Sequence, residues 1–159
     1  MWYSGTANRY LLGDKISEDK PTDMNLPKGS IADPKAKIFP FKVHDAKQVF
    51  DTEYRYLLQP KTVGETGYWT TFDWDSALRQ GSELVGLPYS GHYGFTETLM
   101  YWPQTHMVQP AKNALQCRDC HNESANDQPG RLDWQALGYP GDPIRWGARQ
   151  QQSMQEAQP

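Results

Sequence analysis

Apolar and polar positions in this chain fall into short pieces of differing period, with no single repeat running through it. Residues 1–37 are polar and turn-rich, and Ser17-Glu18-Asp19-Lys20-Pro21-Thr22-Asp23 reads as an exposed loop. Ile38-Phe39-Pro40-Phe41-Lys42-Val43 is a short extended apolar segment ending at His44, and Tyr54-Arg55-Tyr56-Leu57-Leu58 reads as a strand stopped by Pro60. A helical spacing follows from about Asp73 to Val85, with Thr71 as the predicted cap, Asp73 and Asp75 in the first turn and Gly86 at the end. Trp74, Ala77, Leu78, Leu84 and Val85 would form its apolar face. Pro110 can open a further helix, carried by Ala111-Lys112-Asn113-Ala114-Leu115-Gln116 toward residue 117. Gly130 to Gly138 reads as one short helical segment closed by glycine, and the polar tail 150–159 reads as disordered. The pattern divides the chain into a polar segment over 1–37 that packs on a partner or on the domain, a domain over 38–149, and the tail.

Composition changes this picture in one respect. At 159 residues the chain has the size of one domain, yet only 37% of it is hydrophobic, mean hydropathy is -0.82, and twelve prolines and thirteen glycines interrupt it. A core made of protein alone would be thin. Six tryptophans and nine tyrosines supply a large apolar payload in few residues, which suits a core built partly around a cofactor. For any single ring, packing of a small core is the simpler role. The net charge of -3 leaves no nucleic-acid footprint, and no apolar run reaches the roughly 18 residues that would span a bilayer.

The chemistry concentrates in Cys117-Arg118-Asp119-Cys120-His121, which holds both cysteines of the chain. C-x-x-C-H is the attachment pattern of a c-type haem: two thiols add across the vinyl groups, and the following histidine gives iron an axial nitrogen. Three other uses of the pair exist. Zinc would need His121 and one of His44, His92 or His106 to complete four ligands. A redox dithiol would want a βαβ context, and a disulfide across two residues would constrain almost nothing. Covalent haem, the reading the local sequence favours, requires attachment outside the bacterial cytoplasm. The N-terminus, Met1-Trp2-Tyr3-Ser4-Gly5-Thr6-Ala7-Asn8-Arg9, has neither a basic nor an apolar leader region, so an export signal was removed or the chain is a piece of something longer.

An ordered series of motifs extends the reading. Phe39-Pro40-Phe41-Lys42-Val43-His44 with Lys47-Gln48 is followed by Phe72-Asp73-Trp74-Asp75 and by Gly86-Leu87-Pro88-Tyr89-Ser90-Gly91. Then come Glu97-Thr98-Leu99-Met100-Tyr101-Trp102-Pro103, His106-Met107-Val108, the C-x-x-C-H motif and Gly130-Arg131-Leu132-Asp133-Trp134. Over roughly residues 1–147 this series resembles the C-terminal part of the octahaem tetrathionate reductase-type multihaem c-type cytochromes. The resemblance implies a periplasmic or extracellular protein, mainly α with long irregular loops around a cofactor-centred core. It also implies that most haems have two histidine ligands and relay electrons. The haem that reduces sulfur or nitrogen oxyanions lies in the N-terminal half of that family, so no catalytic residue is expected in this chain.

The resemblance places histidine at His44 and His106, whereas His92 falls at a variable position. A helix from Pro110 to His121 would rise about 16 Å, so His106 would have to fold back to reach the opposite haem face. That favours His44 on the local haem and His106 on a neighbouring one, with the reverse as the alternative. If both are ligands, a second haem comes from a neighbouring chain. Met100 and Met107 are the thioether alternatives for the sixth position. The sequence thus predicts an electron-transfer subunit or segment carrying one covalent haem c, with Cys117, Cys120 and His121 holding it and other multihaem cytochrome chains or redox proteins as partners. The alternatives are the C-terminal part of a multihaem oxidoreductase and a zinc-stabilised interaction module.

Overall fold

A computed structural model describes residues 1–105, 109–121, 130–147 and 149. His106, Met107 and the tail over 150–159 lie outside the described residues. The chain forms two compact units.

The larger unit spans Ala7–Leu26 and Lys42–Trp102. Its frame is a three-stranded sheet of β2 (Thr22–Asp23), β5 (Tyr93–Pro103) and β4 (Phe41–Asp51), with β5 in the middle. β2 pairs parallel to β5, Thr22 opposite Thr98 and Asp23 opposite Leu99. Between β4 and β5, Thr52 N–H bonds the His92 carbonyl and Gln104 N–H bonds the Pro40 carbonyl, the crossed order of an antiparallel pair. β5 shows why it is a strand: Thr96 and Thr98 are buried while Phe95 and Glu97 between and beside them are exposed, a period of two built from β-branched and aromatic residues.

This sheet overturns the expectation of a mainly α fold. Of the described residues 20% are helical and 23% are strand, and they form two sheets. The segment expected to end at His44 continues as an eleven-residue strand. The physical reason is that β4 finds a full-length partner in β5, so backbone pairing outweighs the weak local preference of Lys42, Asp45, Ala46 and Lys47 for a strand.

After β4 the chain reverses. The Asp51 carboxylate, fully buried, accepts the N–H groups of Glu53 and Tyr54 at 2.9 and 2.8 Å. Arg55 takes a left-handed backbone with φ 62°. The expected strand over Tyr54–Leu58 is therefore reduced to a single bridge, Phe50 opposite Leu57, because the tight return leaves no room for a ladder. Leu57 N–H turns to the Tyr10 hydroxyl at 2.9 Å. The return nonetheless fills the core: Val49, Tyr56, Leu58 and Leu78 form one buried cluster, and Ile16, Phe50 and Leu57 a second.

Helix α1 (Tyr68–Thr71) is one turn, ended by Phe72 at φ 53°. Helix α2 (Trp74–Val85) is the one the sequence predicts, but Asp73 caps it in place of Thr71, its carboxylate accepting Ser76 N–H at 3.1 Å. Gly86 closes it in a left-handed conformation. Ala77, Leu78, Gly81 and Ser82 are its buried face. Leu84 and Val85 are not part of it, at 75% and 40% exposure, because the helix is packed through Ala77 and Gly81 against residues 59–61, one turn earlier.

The smaller described unit contains Met1–Thr6, Pro27–Phe41 and the chain from Pro103 onward. β1 (Trp2–Tyr3) pairs antiparallel with β3 (Lys37–Ile38), and Gly29 lies so near this ladder that a Cβ there would sit 2.9 Å from Tyr3 N. The predicted helix over 110–116 is a single 3-10 turn at Ala111–Asn113. Gln116 is held extended because its N–H bonds the Asp119 carboxylate at 2.7 Å, which starts a new helix, α3 (Cys117–Cys120), at the first cysteine. Residues 133–138 make one turn, with Leu137 N–H on the Asp133 carbonyl and Gly138 at φ 89°. Helix α4 (Pro143–Trp146) follows, capped by Asp142.

Candidate functional site

Helix α3 is only one turn long, and that length positions the motif. Cys117 and Cys120 are three residues apart and so share one face of the turn; Cys117 is exposed, Cys120 is partly buried, and both are free thiols. His121 leaves the turn as its C-cap, its N–H bonding the Cys117 carbonyl at 2.9 Å. The disulfide alternative is not adopted in this geometry.

Two side chains that sequence reasoning did not assign grip the imidazole. Asp142 Oδ1 lies 2.7 Å from His121 Nδ1. The same oxygen accepts Ile144 N–H at 3.0 Å as the N-cap of α4, where Pro143 occupies the first helical position and has no N–H to satisfy. Burial alone would raise the Asp142 carboxyl, which is 4% exposed. The bonds from Ile144 N–H and His121 and the charges of His121 and Arg145 outweigh it and hold the group below the ordinary carboxylate range.

On the ring face, Trp134 stacks at 4.9 Å and 19°, and its Nε1–H donates to the Cys120 carbonyl at 3.2 Å. One indole thereby fixes both the imidazole plane and the end of the helix carrying the thiols. Tyr139, buried at 8% exposure, stands edge-on to Trp134 at 5.6 Å, and Trp2 lies 6.2 Å beyond it with Nε1–H on the Leu137 carbonyl. The turn over 133–138 exists to deliver this ring: Asp133 caps it by accepting Ala136 N–H at 2.9 Å, and Tyr139 N–H closes on the Trp134 carbonyl.

The donor set fits a covalently held haem. Two free thiols share one face, and Nδ1 is engaged by a carboxylate, so Nε2 is the nitrogen left for a metal. Among the described residues no group of three or more His, Cys, Asp or Glu side chains could hold a metal ion.

His44 and His92 belong to the larger unit, and His106 lies outside the described residues. His44 sits exposed on β4 in the larger unit, its ring 6.1 Å from that of Trp102. His92 is exposed and 3.5 Å from Glu53. Met100 lies on β5 and is half-buried. Of the residues singled out in the sequence, the structure brings together Cys117, Cys120 and His121. The sequence signal for Asp142 was an acid directly before Pro143, the start signal of a helix; nothing in the sequence ties that acid to a histidine twenty-one positions earlier. Among the described residues no helix is long and apolar enough to cross a membrane.

Comparison with known proteins agrees with the motif. The family described as bacterial cytochrome c matches residues 1–124, a span that includes the C-x-x-C-H segment. Among solved structures, the octahaem cytochrome c from Shewanella oneidensis is similar, with 48% sequence identity and a TM-score of 0.80 over 91% of this chain and 33% of that one. This chain therefore spans about a third of the length of that relative. No curated protein sequence matches it.

Proposed function

Because this chain belongs to the bacterial cytochrome c family, we propose that it is an electron-transferring segment of a multihaem assembly, holding one haem c through Cys117 and Cys120. His121 gives its Nε2 to the iron. When bound, the haem supplies a one-electron iron couple. The observation that carries the reading is the pairing of His121 Nδ1 with buried Asp142 beside two free thiols, since it leaves one nitrogen and two sulfurs for the cofactor. A histidine, His44 or His106, would be the second protein ligand, an arrangement that suits electron relay. His44 suits donation to an iron because its ring is exposed on a paired strand, where backbone bonds hold its base in place. The histidine not used locally serves a haem on a neighbouring chain. The partners are other haem-bearing cytochrome chains, in keeping with a chain that spans a third of an octahaem relative, and the location is periplasmic or extracellular, where thioethers are made. No catalytic residue is assigned to this chain.

The test is an intact mass and a reduced-minus-oxidised visible spectrum of the protein from its native source, with partners retained. A mass increased by one haem and low-spin bands are expected. A bare polypeptide mass with no Soret band refutes the reading. His44→Ala and His106→Ala then assign the sixth ligand, because only loss of the local ligand turns the local haem high-spin.

A further inference from the structure

We infer that Asp142 is a positioning residue that sets the redox potential of the haem through His121, drawing it down by making the imidazole a stronger donor. The inference rests on the reading of His121 as an iron ligand. With iron at Nε2, the proton of the ring must sit on Nδ1, so the 2.7 Å contact is an N–H donated to a carboxylate. A carboxylate acceptor at this distance pulls that proton toward itself and leaves electron density on the ring, and the ring passes it to the metal. Ferric iron carries one more positive charge than ferrous iron, so a more electron-rich imidazole favours the ferric state. No bond forms or breaks and no proton leaves Nδ1; one electron is exchanged with an electrode in the test below.

Three features make this contact more than a chance surface pair. The Asp142 side chain is 5% exposed against 28% for His121, so water does not dissolve the interaction. Ile144 N–H bonds the same oxygen that meets the histidine, which anchors the carboxylate through the backbone of α4 and not through a flexible side chain. Trp134, stacked at 19° and tied to the Cys120 carbonyl, keeps the imidazole plane from rotating away from the carboxylate. Charge and anchor come from the start of α4 and plane from the turn over 133–138, and the two segments converge on one ring.

The experiment is spectroelectrochemistry of the haem-loaded chain in wild-type form and as Asp142→Asn and Asp142→Glu. Asn keeps an acceptor oxygen for Nδ1–H and for Ile144 N–H but removes the charge. We expect Asn to raise the potential enough to change the reduced-to-oxidised ratio about tenfold at the wild-type midpoint, which is about 59 mV for a one-electron couple. Glu, which restores the charge, should move the value back toward wild type. If Asn matures with a full complement of haem and its potential equals that of wild type, the inference is wrong, whatever happens to stability. Should the Asn variant fail to retain haem, proton NMR of reduced wild type decides: a far-downfield, exchange-protected Nδ1–H of His121 supports the charged bond, and an ordinary, rapidly exchanging one overturns it. Failure of the functional reading looks different, because the wild-type chain would then carry no covalent haem at all.

Discussion

Gly81→Ala tests the packing of α2 with a result whose sign is in dispute between two effects. Gly81 is in the interior of the helix, where alanine is preferred by about 1 kcal/mol on backbone grounds, so propensity alone makes the substitution stabilising. The packing says the opposite. A Cβ at this position would lie 1.7 Å from the Gln59 carbonyl oxygen and 2.9 Å from Lys61 N, and both are backbone atoms. Restoring even a 3.4 Å contact requires helix and segment to part by 1.7 Å. That movement would break the 2.9 Å bond from Lys61 N–H to the Ala77 carbonyl and loosen Leu78, which is fully buried against Val49, Tyr56 and Leu58.

Overpacking of this kind costs about 1–3 kcal/mol, and a broken buried backbone bond adds about 1–3 kcal/mol. Subtracting the propensity gain of about 1 kcal/mol leaves a net destabilisation of about 1–5 kcal/mol. Urea unfolding of the haem-loaded protein, followed by tryptophan fluorescence and far-UV dichroism together, measures it, with coincidence of the two probes as the check on two-state behaviour. A Gly81→Ala midpoint equal to or above that of wild type would refute the reasoning, because it would mean that residues 59–61 yield freely.

Other perturbations follow from single contacts. Asp73→Ala removes the cap of α2 and should cost about 1 kcal/mol by the same urea assay, whereas Thr71→Ala should cost less. Asp51 is fully buried; burial works to raise its carboxyl, but bonds from Tyr54, Ser90 and Glu53 together hold it below the usual carboxylate range. Its stabilisation is therefore complete above the unfolded-state value of about 3.9 and drains away as pH falls through the lower folded value; Asp51→Asn should remove that acid sensitivity and cost about 2–3 kcal/mol at neutral pH. Tyr101, which bonds Asp23 at 2.9 Å, has its phenol pushed up to about 12, chiefly by burial and then by that bond. Its stabilisation is present below the unfolded value of about 10 and is lost as pH rises toward 12, so Tyr101→Phe should flatten the loss of stability across that alkaline window in a denaturation series.

What could be read in the sequence was what depends on neighbours in the chain. The helix over 74–85 was legible because its glycine stop and its 3–4 spacing are local, although Asp73 and not Thr71 caps it; the C-x-x-C-H motif is local too, a run of five consecutive residues. The sheet was hidden because its cause is not local. β4 carries six consecutive exposed residues, Lys42 to Lys47, with no alternation to announce a strand, and it is extended because β5 lies beside it more than forty residues later. The helix expected over 110–116 failed for the converse reason: good helix formers were present, but the Asp119 carboxylate captures Gln116 N–H and resets the start at Cys117.

The same distinction runs through the site. C-x-x-C-H names the thiols and the imidazole of the candidate site, while the residues that orient them are chosen by the fold. Trp134 and Asp142 reach His121 from thirteen and twenty-one positions away, one on a turn that Asp133 caps and one at the first position before α4. Each also does an ordinary structural task, closing α3 at Cys120 or capping α4 at Ile144. Capping therefore accounts for both residues in the sequence, and their convergence on one ring appears only in three dimensions. The contacts that hold these short helices together are the ones that hold the His121 ring in place. Weakening either helix should then loosen the imidazole as well, and the two effects separate only when charge is changed at constant shape, as in Asp142→Asn.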